Sequence, residues 1–316
     1  MESLLCSQCG GSVRKFGKDK HGQQRFHCNP CDVTFITDKK PMRLERSKAI
    51  LCLNLLVEGN SVRSTERITG VHRDTVLHLL EVVGERCEQV MDEYIRNIPL
   101  AYVEADEIWG FVQKKEARKT EEEKHNKKLG DVYTFVGIEA KSKLVVCFVL
   151  GRRDLPSALK FMEKLNRAAD GRFQLTTDGL RAYIDAVDQV FGPEIDFAQL
   201  VKSYKSDEPG RLERRYSPGD FVSAVKVPIM GSPEIEKVST SYVERQNLTM
   251  RMSMRRLTRL TNGFSKKWEN MEKTLALHFA HCNFCRIHQT LRVTPAMEAG
   301  ITDHIWTLDE LVGATF

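Results

Sequence analysis

Two sets of residues in this chain have types and spacings that could do chemistry: four cysteines in pairs, and acids placed at the ends of apolar strands. Cys6-Ser-Gln-Cys9 and Cys28-Asn-Pro-Cys31 are C-x2-C knuckles. Thiolates so spaced suit tetrahedral zinc, because each tight turn aims two sulfurs at one ion. The spacer GGSVRKFGKDKHGQQRFH reads as a β-hairpin with Gly and Asp-Lys turn residues, which predicts a zinc ribbon with Cys6, Cys9, Cys28 and Cys31 as ligands. So short a segment cannot hold a core unaided, and metal binding worth about 10–16 kcal/mol would be its folding energy. The basic and aromatic residues between the knuckles, Arg14, Lys15, Phe16, Lys18, Lys20, Arg25 and Phe26, suit contact with nucleic acid and equally with protein. A second pair, Cys282 and Cys285, lies near His281 and His288, but the apolar residues around it recur at helical spacing and no further knuckle follows. Buried thiols on a helix are the expectation there.

The acids need strands to bring them together. From Leu100 the pattern turns to LAYVEADEIWGFV, DVYTFVGIEA and KLVVCFVLG, three consecutive strands, the last two joined by a short Lys-Ser turn. Asp154 and Pro156 then open an amphipathic helix through Ala169, GRFQLTTD forms a fourth strand, LRAYIDAVDQVFG a helix, and DFAQLVKSY a fifth strand. The order βββαβαβ with a later helix predicts an α/β fold: a mixed sheet flanked by helices, as in ribonuclease-H-like proteins, with acids meeting at one edge. Such a meeting could hold two divalent ions ~3.5–4 Å apart, which activate a water or 3′-hydroxyl for in-line phosphodiester displacement.

Side chains alternate faces along a strand, so Asp106 and Glu107 are expected to point oppositely, with Glu104 on the face of Asp106 as its rival or helper. Asp178 ends the fourth strand just before Gly179; a helix cap is its other reading. Glu244 opens a long helix, with Arg251 two turns along the same face. A carboxylate on metal and an arginine on the substrate phosphate would follow, although an ordinary acid in a first helical turn fits Glu244 as well.

Ahead of the strands, an amphipathic helix is predicted from Arg43 to Val57, ended by Gly59-Asn60. Ser61 caps a short helix, Gly70 makes a turn, and a second helix exposes His72, Arg73, Asp74 and Thr75. That is the shape of a helix-turn-helix, which an ordinary helical hairpin shares. Net charge is a modest +5, but Arg245 to Lys267 carries seven basic residues and no acid, an attractive surface for a phosphate backbone. The run Lys114 to Lys128 mixes both signs and reads as an exposed loop or hairpin tip.

No apolar run exceeds Leu144 to Leu150, far short of the ~20 residues of a spanning helix, so a membrane protein is excluded. The first residues show no signal-peptide pattern, and nine cysteines, an odd count, argue against a disulfide framework. A cytoplasmic protein is the expectation.

The strings DEIWGFV, TTDGLRAY, STSYVERQNLTMRMSMRRLTRLTNGFSKK and NFCRIHQTLRVTPAMEAG, with the N-terminal knuckles, closely resemble bacterial transposases of the insertion-sequence-one family over nearly the whole chain. The resemblance implies a DDE transposase that binds terminal inverted repeats, cuts there and joins the ends to target DNA using Mg2+ or Mn2+. Carried over by motif, Asp106, Asp178 and Glu244 would be the metal-binding triad and Arg251 the basic residue following it. Family members often carry His where this chain has Met271. The organisation implied is a zinc ribbon over 1–40, a helix-turn-helix region over 41–98, and a ribonuclease-H-like catalytic domain with C-terminal helices over 99–316.

DNA contacts are expected from His72, Arg73 and Thr75 and from Arg255, Arg256 and Arg259, the latter positioning end or target DNA. Partners would be double-stranded DNA and, because transposases synapse two ends, further copies of the chain, in the bacterial cytoplasm at the nucleoid. Tyr183 and Tyr242 raise a covalent tyrosine route, which would leave the spaced acids unused. Trp109 could stack on a base, with core packing the favoured reading. The alternative from another class is a DNA-binding regulator derived from a transposase, without catalysis.

Overall fold

The computed structural model describes residues 4–6, 8–19, 23–36, 44–204 and 220–313. They fall in two compact units, Met1–Arg43 and Leu44–Thr315. Lys20 of the spacer and the expected helix start at Arg43 lie outside the described residues.

The first unit is an antiparallel sheet of β1 (Arg14–Lys18), β2 (Gln24–Cys28) and β3 (Val33–Phe35), in that order. Among its described residues only Cys6 and Cys28 are buried. Aromatic contacts are few, with Phe26 and Phe35 6.4 Å apart and Phe16 5.0 Å from His27. Sulfur occupies the place that a hydrophobic core would otherwise fill.

The second unit opens with α1 (Arg46–Val57), α2 (Val62–Thr69) and α3 (Arg73–Tyr94). The Ser61 hydroxyl accepts from the Ser64 N–H to start α2, and Gly70, at φ 70°, ends it in the left-handed region that glycine enters without strain. Along α3 the residues Val76, Leu79, Leu80, Val83, Cys87, Val90 and Met91 are buried at the spacing of one helical face. That face packs on α7 (Trp268–Ala280).

The α3–α7 contact is close because position 84 has no side chain: a Cβ there would lie 2.5 Å from the Lys273 Cβ and 2.8 Å from its carbonyl oxygen. Gly84→Ala is therefore expected to lower stability by about 1–3 kcal/mol, the usual cost of overpacking, despite alanine's better helix propensity. Thermal melting checks this; an unchanged or raised Tm would contradict the close crossing.

The main sheet has the order β11-β10-β9-β5-β6-β7. β5 (Tyr102–Val112), β6 (Gly130–Glu139) and β7 (Val145–Gly151) run antiparallel in sequence; β9 (Gln174–Thr177) lies parallel to β5, and β10 (Asp196–Tyr204) parallel to β9. β6 and β7 are buried along most of their length, β7 as a continuous apolar run, because helices cover both faces of the sheet there. One face carries α4 (Leu155–Ala168) and α5 (Arg181–Phe191), whose Phe161 and Tyr183 meet Phe135 of β6 at 6.0 and 5.9 Å between ring centres. The other carries α6 (Ser241–Ser253) and α7, with Phe279 against Phe148 at 4.8 Å. A two-residue parallel pair, β4 (Ile98–Pro99) with β8 (Ala169–Asp170), and the short helices α8 (Pro295–Glu298) and α9 (Leu308–Val312) complete the unit.

β11 (Phe221–Met230), antiparallel to β10, was not expected. It contains Pro228, is mostly exposed, and lies at the sheet's edge, the place that tolerates a proline. Lys114 to Lys128 forms the exposed β5–β6 connection, held by Lys114–Glu123, Lys119–Glu116 and Lys124–Glu121 ion pairs. No helix among the described residues is long and apolar enough to cross a membrane.

Candidate active site

β5 and β9 pair only from Tyr102–Gln174 to Ala105–Thr177. There β9 stops, while β5 continues, so its next two residues, Asp106 and Glu107, flank an open edge, and Asp178 follows the last residue of β9. One carboxylate oxygen from each of Asp106, Glu107 and Asp178 can be chosen so that all lie within 4.8 Å of one another. Alternation predicted that Asp106 and Glu107 diverge. Their hydrogen bonds do go to opposite faces, Asp106 to Asn247 of α6 and Glu107 to Tyr183 of α5, yet the open edge lets both carboxylates converge.

Each acid is fixed by its own partners. Asp106 Oδ1 accepts from the Glu107 N–H at 2.8 Å and Oδ2 from Asn247 Nδ2 at 2.9 Å. Asp178 Oδ1 accepts from the Leu180 N–H at 3.0 Å, so its capping contact coexists with membership of the cluster. Both Glu107 oxygens are engaged, one by Arg153 Nε at 2.6 Å and the other by the Tyr183 hydroxyl at 3.1 Å. Arg153 also reaches Asp178 at 3.4 Å and is the one cation ion-paired to the cluster among the described residues.

Burial and then the neighbouring acids Asp178 and Glu107 push the Asp106 carboxyl up to about 7. Burial likewise raises Glu107 and Asp178. Hard oxygen donors that repel one another fit a divalent cation, which would remove the repulsion that one arginine leaves.

Glu244 stands apart from the trio in the first turn of α6, close enough for its charge to add to the rise at Asp106. Its Oε1 accepts from Lys202 Nζ and, at 2.6 Å, from the Thr240 hydroxyl. Glu104, expected as rival or helper, is 3% exposed and turned to a different task. Its Oε2 accepts from the N–H groups of Tyr242 and Val243 at 2.7 and 3.0 Å, tying the start of α6 to β5. Arg251 donates to the carbonyls of Trp109 at 2.6 Å and Leu257 at 2.9 Å, and burial, then Arg259, lowers its guanidinium to about 10. Its donors thus join α6, β5 and the following loop. Asn247 and Lys202, which hold Asp106 and Glu244, carry no local sequence signal and were missed.

The remaining expected site residues lie elsewhere. His72 is exposed and caps α3, its Nδ1 accepting from the Asp74 N–H at 3.3 Å, with Arg73 exposed and Thr75 half-buried behind it. Arg255, Arg256 and Arg259 follow the end of α6 on irregular chain, Arg255 and Arg259 exposed. Tyr183 is fully buried and donates its hydroxyl to Glu107. Tyr242 is exposed, with Lys143 Nζ 3.2 Å from its ring centre. Trp109 is half-buried, 5.8 Å from Phe111, with Lys115 over its face.

In the first unit the sulfurs of Cys6, Cys9, Cys28 and Cys31 gather within 4.8 Å of one another, with Cys9 and Cys28 3.5 Å apart. N–H groups of residues 8 and 9 pull the Cys6 thiol down to about 7, while hydrogen bonding to Cys9 and burial push Cys31 up to about 12. The Cys6 thiolate is favoured while those of Cys28 and Cys31 are opposed, the pattern that a divalent soft cation resolves. Purified protein is expected to carry zinc at one per chain, lost on Cys28→Ser. Elemental analysis checks this, and a metal-free wild type would overturn it.

No known family model matches the sequence. Among solved structures, the chain is similar to the piggyBac transposase in a synaptic complex with hairpin DNA, at 10% identity and a TM-score of 0.43, covering 88% of this chain and 70% of that one. It is also similar to Mos1 transposase in a paired-end complex with the left transposon end, at 14% identity and a TM-score of 0.20 over 52% and 61% of the two chains. The Mos1 strand transfer complex matches at 13% identity and a TM-score of 0.20 over 77% of each. At these scores the likenesses decide neither fold nor chemistry, which rest on the side chains themselves.

Proposed function

We propose that this chain is a DDE transposase of the insertion-sequence-one type, with a ribonuclease-H-like catalytic core, that binds the terminal inverted repeats of its element and cuts and joins DNA at a metal site. The observation that carries the proposal is the meeting of Asp106 and Asp178, from adjacent parallel strands, at the point where β9 stops. The strand order around it supports the ribonuclease-H-like reading: an antiparallel β5-β6-β7 meander extended by parallel strands on the other side of β5.

Asp106, Asp178 and Glu244 would hold Mg2+ or Mn2+, which supplies charge neutralisation at the phosphate and activation of the attacking oxygen. Asn247 and the Glu107 N–H fix the Asp106 carboxylate for that task. Glu104 anchors the helix start that carries Glu244, and the Lys202 ammonium holds Glu244 in a contact that a bound cation would replace. Arg153, half exposed beside Asp178, is placed to meet a substrate phosphate. The zinc ribbon and the α2–α3 pair, with His72, Arg73 and Thr75, would bind duplex DNA together with the exposed Arg255 and Arg259, whereas Arg256, whose guanidinium is buried, is not presented to a duplex. Further copies of the chain would join two ends, in the bacterial cytoplasm.

Two displacements at one metal site need no covalent protein intermediate, and Tyr183, buried and committed to Glu107, is unsuited to one. The test is joining of labelled terminal-repeat DNA to a plasmid with Mg2+ or Mn2+. Wild type and Tyr183→Phe are both expected to give joined product that a chelator abolishes. Metal-independent DNA binding without cleavage would point instead to a regulator.

A further inference from the structure

Away from the acids, α2, the first half of α3, α7 and the segment 253–266 line a half-open cavity of about 830 Å3. None of Asp106, Glu107, Asp178 and Glu244 lines it. Its wall is largely apolar, with Leu80, Met254 and Phe264 among the lining residues, and it is ringed by Arg63, Arg73, Arg255, Arg256 and Lys266 against one carboxylate, Asp74. That carboxylate neighbours His72 at 3.6 Å, and none of the five cations is ion-paired to a described residue.

Arg256 is the unusual member. Its Nη1 donates to the Ser265 hydroxyl at 2.9 Å, while Nη2 is buried with no hydrogen-bond partner among the described residues. A guanidinium that is desolvated and has no counter-charge is costly, and burial pulls this one down to about 10. The loop carrying it is closed tightly: a Cβ at Gly263 would lie 2.7 Å from the Arg255 carbonyl oxygen. The chain therefore holds an uncompensated cation in a built, ordered position beside an open volume.

What would relieve it is an anion with paired oxygens, which a guanidinium fork matches. Inorganic phosphate would leave most of the volume and its apolar wall unfilled, whereas small-molecule sites commonly occupy ~300–1,000 Å3. We propose that the cavity binds a single nucleotide, its phosphate on Arg256 and its base against the apolar wall at Phe264. The nucleotide could come free from solution or as an unpaired residue of a DNA strand, and the same groups would serve either. This goes beyond the transposase reading and does not depend on catalysis.

Isothermal titration of the full chain with 2′-deoxyadenosine 5′-monophosphate, deoxyadenosine and inorganic phosphate tests the proposal. The nucleotide is expected to bind about tenfold or more tightly than either fragment, since a charge-assisted hydrogen bond and an apolar contact each contribute that order. Arg256→Gln should weaken nucleotide binding by about tenfold or more, and Leu77→Trp, which fills the cavity without changing charge, should weaken it similarly. Lys160→Gln, on α4 and outside the cavity, should bind as wild type. Competition by a duplex with an unpaired overhang, but not by a blunt duplex, would assign the strand source; binding of the mononucleotide without such competition would assign the free one. Phosphate binding as tightly as the nucleotide, or a folded Arg256→Gln protein binding unchanged, would overturn the proposal. Because the readout is heat of binding, its failure leaves the strand-transfer result untouched, and the reverse holds.

Discussion

Asp178→Asn and Glu244→Gln are each expected to cut strand transfer by about 10³-fold or more, because a metal-held phosphoryl site contributes several kcal/mol and each 1.36 kcal/mol is a factor of ten. Glu107→Gln is expected to cost less than about tenfold, although Glu107, and not Glu244, stands within 4.8 Å of both aspartates. The reason is the state of the lone pairs. Both Glu107 oxygens are already occupied, by Arg153 and by Tyr183, and the side chain is 2% exposed. Glu244 is 47% exposed, and only its Oε1 has partners among the described residues, one of them an exchangeable lysine. A cation can displace Lys202 from Glu244 at the cost of one surface ion pair, which is worth little, whereas taking Glu107 would strip a buried carboxylate of its half-exposed arginine and a buried hydroxyl of its acceptor. Asparagine and glutamine preserve shape, so DNA binding and thermal stability should stay near wild type. If Glu107→Gln abolished joining while Glu244→Gln did not, the third ligand would be Glu107 and the motif-based triad would be wrong.

How much of this was readable beforehand depends on how local each cause is. The knuckles, the three-strand run, the Ser61 cap and the Gly70 turn are encoded within a few residues, and the structure places them where the spacing put them. Asp178 was legible because strand, acid and glycine stand in one short string. The convergence of Glu107 on Asp106 was not, since alternation describes a strand within a sheet and says nothing about where the neighbouring strand ends. Lys202 reaches Glu244 from β10, and Arg251 finds carbonyls on β5 and beyond α6; such partners exist only once the chain has folded. β11 was hidden by Pro228 and by exposure on both faces, which erases the hydrophobic alternation that marks a strand. The cavity of Arg256 draws on residues from Leu56 to His278 and has no signature in any window.

Glu104→Ala is expected to be the most disruptive single change to the scaffold of the site. Two N–H groups at the start of α6 share one Glu104 oxygen, and Val243 is fully buried, so removing the acceptor strands donors at a cost of roughly 1–3 kcal/mol each. That is a large part of the 5–15 kcal/mol typical of a folded domain, so the melting temperature should fall by several degrees. Joining activity should fall further than stability does, because the freed helix start carries Glu244. The alternative role for Glu104, direct metal binding, makes a different forecast for Glu104→Gln. An amide oxygen can accept from both N–H groups, and the amide nitrogen can donate to the Ser239 hydroxyl, which is near enough to favour the carboxylate now. A positioning residue is therefore rescued by glutamine: stability returns and joining stays within about tenfold of wild type, while a ligand would lose about 10³-fold with the fold intact. Measuring melting and joining on both variants separates the two, and burial of the carboxylate beneath α6, where it already serves two backbone donors, is why rescue is the expected result.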